Sequence, residues 1–121
     1  MYNTLIVDDN TFFRQILRRI LLTKFPSMNV REAADGEGAL FKIEADPPQL
    51  IFMDIELPDE SGIQLTRKIK TAHPESTIVV ISNYDGTEYR KGALQAGAAE
   101  FISKVSSTPS DIVETVRSMF L

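Results

Sequence analysis

No cysteine occurs in the 121 residues, which rules out disulfides, thiolate zinc sites and cysteine nucleophiles. Histidine is almost as scarce. His73 is the only one, and its place before Pro74, at a predicted helix end, suits a solvated side chain better than a ligand or a base. There is no basic block: 13 Lys and Arg face 17 Asp and Glu, for a net charge of −4. Nucleic-acid binding through this chain alone is therefore not expected. No apolar run approaches membrane-spanning length, and Met1-Tyr2-Asn3-Thr4 has no basic n-region. The expectation is a cytoplasmic protein with no membrane partner. No internal repeat, low-complexity segment or linker breaks the chain. A hydrophobic share of 43% supports a sizeable core, so residues 1–121 are expected to form one domain.

What is present is a regular alternation. Leu5-Ile6-Val7, Leu50-Ile51-Phe52-Met53, Ile78-Val79-Val80-Ile81 and Phe101-Ile102 are short apolar runs that read as buried strands. Met28 to Arg31 alternates apolar and polar residues, which suggests a strand near a sheet edge. Between the runs lie helical patterns. Asn10 is placed to cap the first, and Phe12, Phe13, Ile16, Leu17, Ile20 and Leu21 form its apolar stripe. Arg14, Arg18 and Arg19 lie off that stripe and read as a wet face. Asp35-Gly36 turns the chain into a helix with Ala39, Leu40 and Ile43 inward. Ser61 and Gln64 have capping-box spacing before a helix to about Ala72. Asp85 with Glu88 is a further helix start, and Gly97 suits the C′ position. Thr108-Pro109 reads as an N-cap with proline at the first helical position. Met53 and Met119 read as core fillers.

Five strands alternating with five helices predict an α/β fold: a three-layer, doubly wound (βα)5 parallel sheet of flavodoxin-like order 2-1-3-4-5. Its switch point falls between strands 1 and 3, and Asp8, Asp9 and Asp54 all follow those two strands. Each residue alone has an ordinary reading. An acidic pair after a strand is most often a helix start, and a lone Asp, Ser or Lys is most often solvated. Together, however, every polar candidate sits at the C-terminal end of a strand. Three carboxylates there raise one another's pKa unless a cation joins them. Mg²⁺ suits such a site, with the Glu56 backbone carbonyl as a further ligand. Asp54 is then a candidate phosphoryl acceptor, with Lys104 and the Ser82 hydroxyl as phosphoryl contacts.

These residues resemble the receiver domain of two-component response regulators. The resemblance spans essentially the whole chain and rests on Val7-Asp8-Asp9-Asn10, Met53-Asp54-Ile55-Glu56-Leu57-Pro58 with Gly62, Ile81-Ser82, and Gly97 to Lys104. It implies that Asp54 takes a phosphoryl group from a phosphohistidine on a sensor histidine kinase or phosphotransfer protein. It implies Mg²⁺ held by Asp9, Asp54 and the Glu56 carbonyl, with Asp8 acting mainly through water. It implies that Ser82 swings to the phosphate and Phe101 turns inward, coupling the chemistry to the helix 4–strand 5–helix 5 surface, where family members dimerise or bind targets.

The sequence also departs from the family pattern. Val105 follows Lys104 where a cis proline is usual, and a cis bond before Val costs about 3 kcal/mol. A trans bond with a reshaped loop, or a strained cis bond, is expected. Phe101 lacks the hydroxyl of the commoner Tyr. Asn83 replaces a small residue after Ser82, and Glu56, Asn83 and Tyr84 are candidates for setting phosphoryl lifetime. Two rival readings remain: a phosphorylation-independent binding module of the same fold, and an aspartyl-phosphate phosphohydrolase, which Asp54-Ile55-Glu56 faintly resembles. A conventional turnover enzyme is not expected. The sequence fits a stand-alone receiver and the receiver of a longer regulator equally.

Overall fold

The computed structural model describes residues 2–83 and 86–120. Its elements are β1 (Asn3–Val7), α1 (Thr11–Lys24), β2 (Asn29–Ala33), α2 (Gly36–Ala45), β3 (Leu50–Met53), α3 (Gly62–Ala72), β4 (Thr77–Ser82), α4 (Thr87–Gln95), β5 (Glu100–Ser103) and α5 (Pro109–Phe120). The five strands pair in parallel in the order β2-β1-β3-β4-β5, so the expected fold class and strand order are both found. The alternating strand, β2, lies at the edge.

Period-2 geometry explains why the central runs are apolar throughout. Successive side chains of a strand point to opposite faces, and in a doubly wound sheet both faces are covered. Leu5, Val7, Ile51, Met53, Ile78, Val80 and Phe101 face one core, with Ala39 and Ile43 of α2, Leu65 and Ile69 of α3 and Ala93 of α4. Ile6, Leu50, Phe52, Val79, Ile81 and Ile102 face the other, with Leu17 and Leu21 of α1 and Ile112 and Val116 of α5. Met53 is fully buried and Met119 packs against the second core, as expected of core fillers.

Local signals set the helix ends. The Asn10 side chain accepts from Phe13 N and starts α1. Asp35 is the N-cap of α2, accepting from Gly38 N, and Gly36 is already helical. Ser61 Oγ accepts from Ile63 N, but Gln64 Oε1 accepts from Arg67 Nη1, so only the serine half of that expected capping box forms. The complete reciprocal cap lies at α5: Thr108 Oγ1 accepts from Asp111 N, and Asp111 Oδ2 accepts from Thr108 N. Gly97 has φ +111°, the left-handed conformation that ends α4. The helix start assigned to Asp85 lies outside the described residues, and α4 is capped by Gly86.

Three expectations are corrected. Phe12 and Ile16 are 71% and 39% exposed; the apolar stripe of α1 is wider than the face the sheet covers, and these two, one turn apart, fall on its outer margin. Arg14 is not on a wet face. Its Nε donates to Glu32 Oε1 and its Nη1 to the Asp8 carbonyl. Arg18 also donates to the Val30 carbonyl of β2, but 43% of its side chain stays exposed, in keeping with the wet face. His73 is not simply solvated: its ring Nε2 lies 2.9 Å from Glu44 Oε1, joining the C-terminal ends of α2 and α3.

The loop from β3 to α3 is pinned beneath the sheet edge. Gly62 N donates to the Ile55 carbonyl, and a Cβ built on Gly62 would lie 1.9 Å from the Asp54 carbonyl oxygen. Only glycine allows this approach. Gly62→Ala is expected to destabilise the fold by about 1–3 kcal/mol through that overlap, read as a lower urea midpoint; an unchanged midpoint would contradict the fit described.

Candidate functional site

The parallel ladder runs one residue past three of the strands. Asp8 N donates to the Ala33 carbonyl, Asp54 N to the Val7 carbonyl and Lys104 N to the Ser82 carbonyl. With Val7 paired to Met53 and Ser82 to Ser103, these bonds set Asp8, Asp54, Ser82 and Lys104 side by side along the C-terminal edge. A cavity of about 210 Å³ opens there, lined by Asp8, Asp9, Asn10, Asp54, Glu56, Ser82, Asn83 and Lys104. Every described residue assigned to the metal, the phosphoryl group or its lifetime thus lines one cavity. Tyr84 lies outside the described residues. Phe101 is 3% exposed, pointing into the core on the α2–α3–α4 side, with the Arg90 guanidinium 5.3 Å from its ring centroid.

Asp8, Asp9 and Asp54 each offer a carboxylate oxygen, all within 4.8 Å of one another. Asp8 and Asp54 are buried, whereas Asp9 is exposed. Asp8 Oδ1 accepts from Asn10 N. Its buried Oδ2 has no aligned hydrogen bond and meets the Lys104 ammonium at 2.5 Å as a charge contact. Lys104 Nζ is 3.7 Å from Asp54 Oδ1. Among the described residues one ammonium thus stands against three carboxylates, which leaves the cluster short of positive charge. The donor set, all hard oxygens with a buried oxygen lacking a hydrogen bond, fits a hard divalent cation.

Burial is the main cause that raises the Asp54 carboxyl from 3.8 to about 6, and the Asp8 charge adds to it. Lys104 and the Ile55 N–H pull the other way, and Asp9 raises it a little further.

The loop that carries Glu56 is held from outside. Glu56 bridges Ser61 across it. Asp59 accepts from Gly36 N at 2.9 Å and Glu37 N at 3.0 Å, and these N–H groups hold the exposed Asp59 carboxyl below the usual range. Beyond β5, no described peptide bond is cis, so the chain runs trans through Lys104-Val105. Ser103 Oγ accepts from Val105 N and Ser106 N and shapes the turn without proline.

Sequence reasoning missed two neighbours of the site. Arg14 binds the Asp8 carbonyl, and the Phe13 ring lies under Lys104 Nζ, 4.2 Å from its centroid. Their one signal was position: both fall in the first turn after the Asn10 cap, beside the end of β1.

A family model described as the response regulator receiver domain matches residues 4–117. The chain belongs to the response regulator receiver domain family. Among relatives of this receiver domain, the transcriptional activator protein ExaE of Pseudomonas putida is 34% identical over 113 residues, covering 93% of this chain and 52% of that protein. The response regulator UvrY of Escherichia coli O157:H7 is 32% identical over 120 residues, covering 99% of this chain and 55% of that protein. The chain thus spans about half the length of these curated relatives. The crystal structure of a CheY-like receiver domain protein from Methanospirillum hungatei JF-1 superposes with a TM-score of 0.89 at 31% identity, covering 98% of this chain and 93% of that one. No helix among the described residues is long and apolar enough to cross a membrane.

The raised Asp54 pKa makes a signed prediction for this receiver domain. A carboxyl whose folded pKa exceeds its unfolded value adds stability at low pH, and loses that contribution as pH rises through the folded pKa. Referenced to the protonated form, the rise from 3.8 to about 6 corresponds to at most about 3 kcal/mol of cost at pH 7.5. With divalent ions chelated, Asp54→Asn is expected to raise the free energy of urea unfolding at pH 7.5 and to change it little at pH 4. Equal effects at both pH values would contradict the assignment.

Proposed function

We propose that residues 1–121 act as a phospho-acceptor switch in which Asp54 takes a phosphoryl group from the phosphohistidine of a sensor histidine kinase or phosphotransfer protein. The observation that carries this reading is the cluster itself. Three carboxylates with oxygens within 4.8 Å of one another share one cavity with Lys104, whose ammonium is 3.7 Å from Asp54 Oδ1.

An ionised Asp54 oxygen attacks phosphorus. The new O–P bond forms as the P–N bond to the donor histidine breaks, and its electron pair leaves on the imidazole nitrogen. Lys104 stands where it can meet a phosphoryl oxygen with positive charge, and the Ser82 hydroxyl can meet another. Asp8, Asp9, Asp54 and the Glu56 carbonyl would hold Mg²⁺, which when bound offsets repulsion between the carboxylate and the phosphoryl oxygens. Burial of Asp8 and Asp54 strengthens each of these interactions relative to water. Glu56 and Asn83 line the approach to Asp54, so they, with Tyr84, are the residues we assign to phosphoryl lifetime.

The readout we propose runs through Ser82 and Phe101. Both are buried, Ser82 at the C-terminal end of β4 and Phe101 near the start of the neighbouring β5, where it pairs with Val80. A shift of Ser82 toward the phosphate alters the packing of Phe101 and, through Arg90 above its ring, the surface of α4. In this reading the α4–β5–α5 surface carries the homodimer or target contact. The protein is cytoplasmic and is no conventional turnover enzyme.

Incubation with acetyl phosphate and Mg²⁺, followed by intact mass, tests this reading. The expected result is one labile phosphoryl group, absent from Asp54→Asn and from samples with chelator, and gained about 100-fold more slowly by Lys104→Ala. A module that binds without phosphorylation gains none. A phosphohydrolase consumes many equivalents without accumulating adduct.

A further inference from the structure

Lys104 has neighbours of two kinds. Asp8 Oδ2 lies at 2.5 Å and Asp54 Oδ1 at 3.7 Å. The Phe13 ring centroid also lies 4.2 Å from the ammonium. The Lys104 side chain is 9% exposed, so the ring replaces water that would otherwise hydrate the charge. Cation–π attraction grows with such desolvation.

Both partners are fixed from behind. Phe13 N donates to the Asn10 cap, and its ring packs against the core shared by α1 and α5. Lys104 N donates to the Ser82 carbonyl. Beyond Lys104 the chain offers no buried anchor at once, since Val105 is 79% exposed.

We propose that Phe13 is a positioning residue: its ring seats the Lys104 ammonium so that it stays aimed at Asp54 when a divalent cation engages Asp8. The proposal rests on the phospho-acceptor reading. In that reading the Asp8 carboxylate, the nearest anion to Lys104, also serves the cation. A flexible four-carbon stem that loses this partner is free to swing into solvent. An aromatic face holds the ammonium without formal charge, so it does not compete with the carboxylates for the cation.

Phe13→Leu and Phe13→Tyr separate the seat from mere packing. Both keep a bulky apolar group against the core, but only Tyr keeps the ring face. The first measurement is the proton shifts of the Lys104 ε-methylene by NMR during Mg²⁺ titration. Upfield ring-current shifts are expected to persist at saturating Mg²⁺ in wild type and Phe13→Tyr, and to vanish in Phe13→Leu. The second is the rate of labelling by acetyl phosphate. Phe13→Leu is expected to lower the maximal rate about fivefold with a little-changed half-saturating concentration, and Phe13→Tyr to stay within about twofold of wild type. Equal losses in both variants would assign Phe13 to packing alone, and no loss in either would overturn the proposal. If wild type itself gains no phosphoryl group, the phospho-acceptor reading fails. The NMR arm then still decides whether the ring holds the ammonium.

Discussion

The structure depends on one unfavourable interaction that is only partly relieved: mutual repulsion among Asp8, Asp9 and Asp54. Burial and like charges this close both oppose ionisation; burial is the larger cause of the raised Asp54 carboxyl, and the Asp8 charge adds to it. Among the described residues a single ammonium, Lys104, stands against these carboxylates. The parallel ladder holds the cluster in place regardless, because the backbone of Asp8 and of Asp54 is hydrogen-bonded into the sheet. The cost sits in the side chains, where an added cation or a phosphoryl group can change it. A site under this tension responds to ligands, and that is the physical requirement for a switch.

Everything else in the fold can be related to that edge. The apolar runs of β1 and β3 bury on both faces, so the carboxylates that follow them are set at the rim of two cores with little freedom to separate. Gly62 lets α3 begin directly against the Asp54 carbonyl, and Asp59 ties the same loop to the first turn of α2. Ser103 shapes the turn after β5 where proline is absent. Each device fixes backbone close to the cluster without adding charge inside the cavity.

Much of this was legible in the sequence because the signals are local. Strands buried on both faces read as unbroken apolar runs, and Asn10 and Thr108 announce the helices they cap. The strand order followed from alternation and crossover handedness, and it brought Asp8, Asp54, Ser82 and Lys104 to one edge. What stayed hidden depends on contacts far apart in sequence. Helical periodicity marks Phe12 and Phe13 alike as apolar, yet only tertiary packing exposes the first and turns the second toward Lys104. Arg14 looked solvated because its partners, the Asp8 carbonyl and Glu32, lie on two strands. Asp59 carried no pattern at all, since its partners are backbone N–H groups of α2.

Phosphoryl transfer to Asp54 is tested by trapping the linkage at that residue. Borohydride reduces an aspartyl phosphate to homoserine, leaving unmodified carboxylates intact. After reaction with acetyl phosphate and Mg²⁺, reduction and peptide mapping should place homoserine at position 54 alone. Homoserine at Asp8 or Asp9, or a phosphoryl group that survives reduction on a serine or on His73, would contradict the account.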